Sequence, residues 1–110
     1  MDVVITELKG AKIATISGDL DGATTPVAQE KILPLAAPKA YIILDMSQVA
    51  YMSSAGLRML LLMYRTMTGQ GGAVALVGLS EELADTMSLT GFLDFFKRFD
   101  TLEESLAGMG

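Results

Sequence analysis

Two short runs, Tyr41-Ile42-Ile43-Leu44 and Ala73-Val74-Ala75-Leu76-Val77, are apolar at every position and narrowly bound what this chain can fold into. A strand that is apolar on both faces must be covered on both faces, which is the setting of a central strand in a parallel sheet. The flanking segments supply that cover. Ser54 to Thr68 is predicted to be a helix, ended by the Gly69-Gln70-Gly71-Gly72 turn. Thr24-Thr25-Pro26 opens an earlier helix, with a Thr cap and with Pro in the first turn, where its missing N–H costs nothing. Pro34 and Pro38 close that segment. Ser80 caps a third helix, with Glu81 and Glu82 at the positive end of its dipole and Gly91 beyond it; Thr101 to Ala107 is a fourth, again with early acids.

Val3 to Leu8 and Ala11 to Ile16 are predicted strands joined by Lys9-Gly10, a tight hairpin because Gly accepts the positive φ such turns need. Phe95 to Phe99 is a short last strand, and Gly108-Met109-Gly110 is expected to fray. The order is therefore ββαβαβαβα. It predicts one α/β domain over residues 1–110: a mostly parallel five-stranded sheet with an antiparallel edge hairpin and about four helices.

Composition removes whole classes of function. The chain has no Cys and no His, so thiolate nucleophiles, zinc clusters and imidazole bases are excluded, and neither a metal nor a cofactor is expected. A net charge of −5 repels a phosphate backbone, and basic and aromatic residues interleave only at Phe96-Lys97-Arg98-Phe99, too short a stretch for a nucleic-acid surface. The longest unbroken apolar run, Met59 to Tyr64, cannot span a bilayer, and no basic segment opens the chain. The expectation is a soluble cytoplasmic protein that binds a protein partner and is not an enzyme.

The informative stretch runs from Leu44 to Leu57. A buried strand ends at Asp45, which is suited to fixing the following loop by hydrogen bonds, and Ser53-Ser54 stand where the long helix begins. A helix N-terminus offers unpaired N–H groups and partial positive charge, so a phosphoryl group on Ser54 would be stabilised there. A plain N-cap role accounts for the same two serines, and the readings can coexist. Along the helix, Leu57, Leu60, Leu61, Tyr64 and Thr68 form a stripe suited to the sheet, while Ser54, Arg58 and Arg65 fall near one another with Leu62 beside them. A helix this apolar cannot easily hide every face, so Met59 and Leu62 are candidates for an exposed docking surface, with cover by neighbouring elements as the alternative; for Met63 cover is favoured. Arg58, four residues after Ser54, is either in reach of a phosphate there or simply solvated.

Asp45-Met46-Ser47 through Tyr51-Met52-Ser53-Ser54-Ala55-Gly56-Leu57-Arg58 resembles the signature of the STAS domains, specifically the bacterial anti-sigma factor antagonists. Gly18-Asp19-Leu20-Asp21 is similar to the family's Gly-x-Leu-Asp loop, and Leu89-Thr90-Gly91-Phe92 to its late helix end, so the resemblance covers essentially the whole chain. It implies that a partner anti-sigma factor, itself a serine kinase, phosphorylates a serine at the start of this helix, and that a PP2C-type, metal-dependent phosphatase reverses the modification. The acceptor falls on Ser54, with Ser53 as the alternative: the family often has Asp before the acceptor and Ser after it, where this chain has Ser53 and Ala55. Asp21 matches the family's loop Asp near the acceptor and is carried over as a binding residue, beside Ser53, Ala55, Arg58, Met59 and Leu62. The same fold also admits a constitutive subunit of a membrane transport assembly, or a nucleotide or small-ligand sensor near Asp21 and Ser54.

Overall fold

The computed structural model describes residues 1–108. The elements run β1 (Asp2–Leu8), β2 (Ala11–Ser17), α1 (Thr25–Ile32), β3 (Tyr41–Gln48), α2 (Ser54–Gly69), β4 (Ala73–Val77), α3 (Glu81–Leu89), β5 (Lys97–Phe99) and α4 (Leu102–Ala107). This is the predicted ββαβαβαβα order. The five strands lie in sequence order across one sheet; β1 and β2 are antiparallel, and every other neighbour pair is parallel. Lys9 and Gly10 both have positive φ, +52° and +83°, which is the two-residue hairpin turn whose twist matches its strands.

Alternation along the strands divides the core in two. Ile42, Leu44 and Met46 of β3 point to the face covered by α1, α2 and α3, where they meet Ile32, Leu60, Met63, Met67 and Met87. Tyr41 and Ile43 point to the other face, which α4 covers through Leu102 and Leu106, and the Tyr41 hydroxyl donates to the carbonyl of Ser105 at 3.1 Å. Six methionines, at 46, 52, 59, 63, 67 and 87, are buried, so flexible thioethers fill much of an interior that has no Trp.

Three local expectations need correction. The buried side of α2 is Gly56, Met59, Leu60, Met63 and Met67; Leu57, Leu61 and Tyr64 are half-buried and Thr68 is exposed. Periodicity could not choose between adjacent stripes on a helix apolar nearly all round, and Gly56 turns inward because it alone permits close approach to the Leu20 loop. The predicted strand from Phe95 shrinks to Lys97–Phe99, because Leu93–Phe95 forms a 3₁₀ turn that stacks Phe95 on Tyr64 with ring centroids 5.3 Å apart. Thr24 precedes α1 but makes no side-chain cap bond; its hydroxyl is engaged in the preceding loop. Of the residues expected to fray, Gly108 closes α4, and Met109 and Gly110 lie outside the described residues. Among the described residues, no helix is long and apolar enough to cross a membrane.

Candidate functional site at the start of helix α2

Two loops at the C-terminal ends of neighbouring parallel strands form the site, the place where open α/β sheets put their ligands. The loop after β2 carries Leu20 and Asp21; the loop after β3 carries Tyr51, Met52 and Ser53. They are stitched together by backbone bonds: Leu20 N–H donates to Tyr51 O at 2.9 Å, and Ser53 N–H to Leu20 O at 2.7 Å. Below this bridge sits Gly56. A Cβ there would lie 2.5 Å from Met52 Cγ, 3.0 Å from Leu20 Cβ and 3.2 Å from the Leu20 carbonyl, so the approach depends on glycine.

Ser53 and Ser54 have separate roles in this geometry. Ser53 is the N-cap, with extended backbone (φ −81°, ψ 179°), and its half-buried hydroxyl accepts from Ala55 N–H at 3.2 Å. Ser54 is the first helical residue and is exposed. No acid occupies the first turn of α2, whereas α3 and α4 carry two glutamates each there. The positive end of the α2 dipole therefore lacks a carboxylate of its own.

Asp21 is held by its own loop. Its Oδ1 accepts from the N–H groups of Ala23 and Thr24, both at 2.9 Å. The Thr24 hydroxyl donates to Asp19 O at 2.6 Å and accepts from Asp21 N–H at 2.9 Å. The Thr24 N–H, then that of Ala23, hold the Asp21 carboxyl below its ordinary value of 3.8, since both bonds favour the charged form. Asp45 neither ends the strand nor fixes the following loop, contrary to the sequence expectation: β3 runs on to Gln48, and Asp45 accepts from the N–H and hydroxyl of Ser47 in the same strand, at 3.0 and 2.7 Å.

Beside the two loops, a groove of about 880 Å³ separates α1 from α2. Ala55, Arg58, Met59 and Leu62 form its α2 wall, so four of the residues singled out in the sequence share one surface. Leu62 is 37% exposed and Arg58 is exposed, whereas Met59 is only 1% exposed. Met59 is thus a buried residue that contributes to the groove lining, not the exposed docking residue anticipated; its place on the inward stripe beside Gly56 explains the difference. Arg65, grouped with Arg58 in the sequence, does not line the groove. The α1 wall, with Pro26, Gln29 and Glu30, was not anticipated, because two helices separated by a strand reveal nothing of their mutual packing in sequence. Thr25 also lines the groove: it is 4% exposed, and its hydroxyl has no hydrogen-bond partner.

Known proteins share this architecture. The anti-sigma-B factor antagonist of Bacillus subtilis is 35% identical over 79 residues, 72% of each chain. The crystal structure of an anti-sigma factor antagonist from Mycobacterium paratuberculosis superimposes with a TM-score of 0.87 at 23% identity, covering 98% of this chain and 92% of that one. The fold also occurs within the murine Solute Carrier 26 family member A9 anion transporter, with a TM-score of 0.81 at 20% identity, over 94% of this chain and 18% of the transporter. The STAS domain profile matches residues 2–105, and the chain belongs to the STAS domain family.

Proposed function

We propose that this chain is a cytoplasmic anti-sigma factor antagonist, a binding protein and not an enzyme, switched by phosphorylation of Ser54. Unphosphorylated, it holds an anti-sigma factor that is itself a serine kinase, and so frees the sigma factor. The kinase modifies Ser54 and releases the antagonist, and a PP2C-type phosphatase restores it. The observation that carries this reading is the division of labour between the two serines: the Ser53 hydroxyl is engaged as a cap, while Ser54 is exposed at a helix N-terminus with no acid in its first turn. The name of the Bacillus subtilis relative supports the same assignment.

Asp21, Ser53, Ala55, Arg58, Met59 and Leu62 form or support the contact surface around the acceptor. A phosphoryl group adds about −1.5 to −2 charge at neutral pH. The helix dipole accommodates that charge, so the fold survives modification. A partner surface shaped for a neutral serine must instead desolvate a dianion, and a loss of ~3 kcal/mol weakens binding by more than about a hundredfold.

The test is incubation with the cognate anti-sigma kinase and ATP, followed by mapping of the modified residue. Label on Ser54 that disappears in Ser54→Ala and persists in Ser53→Ala is expected. Label confined to another residue, or an unmodified complex that Ser54 phosphorylation leaves intact, overturns the assignment.

A further inference from the structure

The two edges of the sheet are unlike. At one, β5 is three residues long and exposes Lys97 and Arg98, a short charged edge of the kind that blocks further pairing. At the other, β1 is seven residues long, pairs with β2 in unbroken register and contains neither Pro nor Lys. Six of its seven residues are exposed, among them Val4 at 50%, Ile5 at 39% and Leu8 at 46%. Neither Pro, Lys nor a bulge interrupts this edge, and its two charged residues, Asp2 and Glu7, stand near its ends and leave the apolar middle uninterrupted.

The hairpin turn determines which backbone groups are free. A two-residue turn at Lys9-Gly10 makes Leu8 and Ala11 a hydrogen-bonded pair. Asp2, Val4, Thr6 and Leu8 therefore direct their N–H and C=O toward β2, and Val3, Ile5 and Glu7 direct theirs to the open edge. We infer that this edge pairs with the same edge of a second copy, antiparallel about a twofold axis at Ile5. In that register Ile5 faces Ile5 and Val3 faces Glu7, so every outward N–H and C=O of these three residues finds a partner, the Val3 N–H exchanging its 3.0 Å bond to the Asp2 carboxylate for the Glu7 carbonyl. Between residues 2 and 8 no like charges stand opposite one another, and Asp2 of one copy adjoins the turn that carries Lys9 of the other. On the α4 side of the sheet, Val4 comes beside Thr6 of the second copy with Leu8 flanking it, which covers the most exposed apolar side chains of the strand. A single strand pair is small beside the about 800 Å² per partner of a standard interface, so association in the micromolar range or weaker is expected.

Analytical ultracentrifugation of the chain from about 10 μM to about 1 mM should show the mass rising toward twice that of the monomer. Ile5→Lys places two cations face to face and should weaken association at least about tenfold while leaving the melting curve near wild type. Amide exchange on the wild-type protein tests the same pairing without a variant. The N–H groups of Val3, Ile5 and Glu7 should gain protection as concentration rises, while those of Val4 and Thr6 stay unchanged. A chain that remains monomeric throughout overturns the inference, as does association that survives Ile5→Lys or that protects the α1–α2 groove instead of β1.

Discussion

The N–H of Ser53 donates to the carbonyl of Leu20 at 2.7 Å, which joins the loop bearing Asp21 to the cap of α2. This bond is possible because residue 56 has no side chain. Gly56→Ala would gain up to about 1 kcal/mol of helix propensity. The added methyl would sit 3.0 Å from Leu20 Cβ and 2.5 Å from Met52 Cγ, and overpacking of that kind costs about 1–3 kcal/mol. The clash wins, so a net loss of about 1–2 kcal/mol is expected in urea unfolding. Backbone amide shifts at Leu20 and Ser53 should move with it.

Ser53 and Ser54 should separate stability from switching. Ser53→Ala removes the acceptor for Ala55 N–H and should cost about 1 kcal/mol. Ser54→Ala should change stability by less than about 0.5 kcal/mol, as an exposed substitution away from any cap bond. Ser54→Glu should gain about 0.3–1 kcal/mol from the dipole in thermal unfolding, yet bind the anti-sigma partner about a hundredfold or more weakly in titration calorimetry.

Asp21 gives the loop a defined pH response. Its carboxyl titrates below 3.8 in the folded chain because the Thr24 and Ala23 N–H groups bind the charged form. Its contribution is therefore complete above the unfolded value and disappears as pH falls through the lower folded value. The difference in melting temperature between wild type and Asp21→Asn should be constant from about pH 7 to pH 5 and shrink below pH 3.8.

The buried hydroxyl of Thr25 is without a partner, which leaves a desolvated polar group on the first turn of α1. Thr25→Val keeps the shape and removes that group. A gain of up to about 1 kcal/mol in chemical denaturation is expected, because an unsatisfied buried group costs about 1–3 kcal/mol and valine is a slightly poorer fit to a helix. A loss of stability would mean that the hydroxyl is satisfied in solution.

The sheet was legible because its signals are local. Uniformly apolar Tyr41–Leu44 and Ala73–Val77 could only be central strands, and Lys9-Gly10 could only be a hairpin turn. The family motif also led directly to the α2 N-terminus. What was not legible depended on contacts between distant segments. Met59 was expected to face outward, and only the approach of Leu20 to Gly56 decides which stripe of α2 turns in. Phe95 was read as strand because nothing in its neighbourhood announces Tyr64, thirty-odd residues earlier, as its stacking partner. The α1 wall of the groove was invisible for the same reason.

The methionine-filled interior makes this domain a recorder of its own opening. A thioether becomes a polar sulfoxide only when peroxide reaches it, and the six at positions 46, 52, 59, 63, 67 and 87 are shielded while the chain is folded. Met1, in contrast, is 41% exposed and reacts without any unfolding. The spread of added oxygen among peptides after a timed dose of peroxide would thus report, methionine by methionine, which parts of the molecule breathe first.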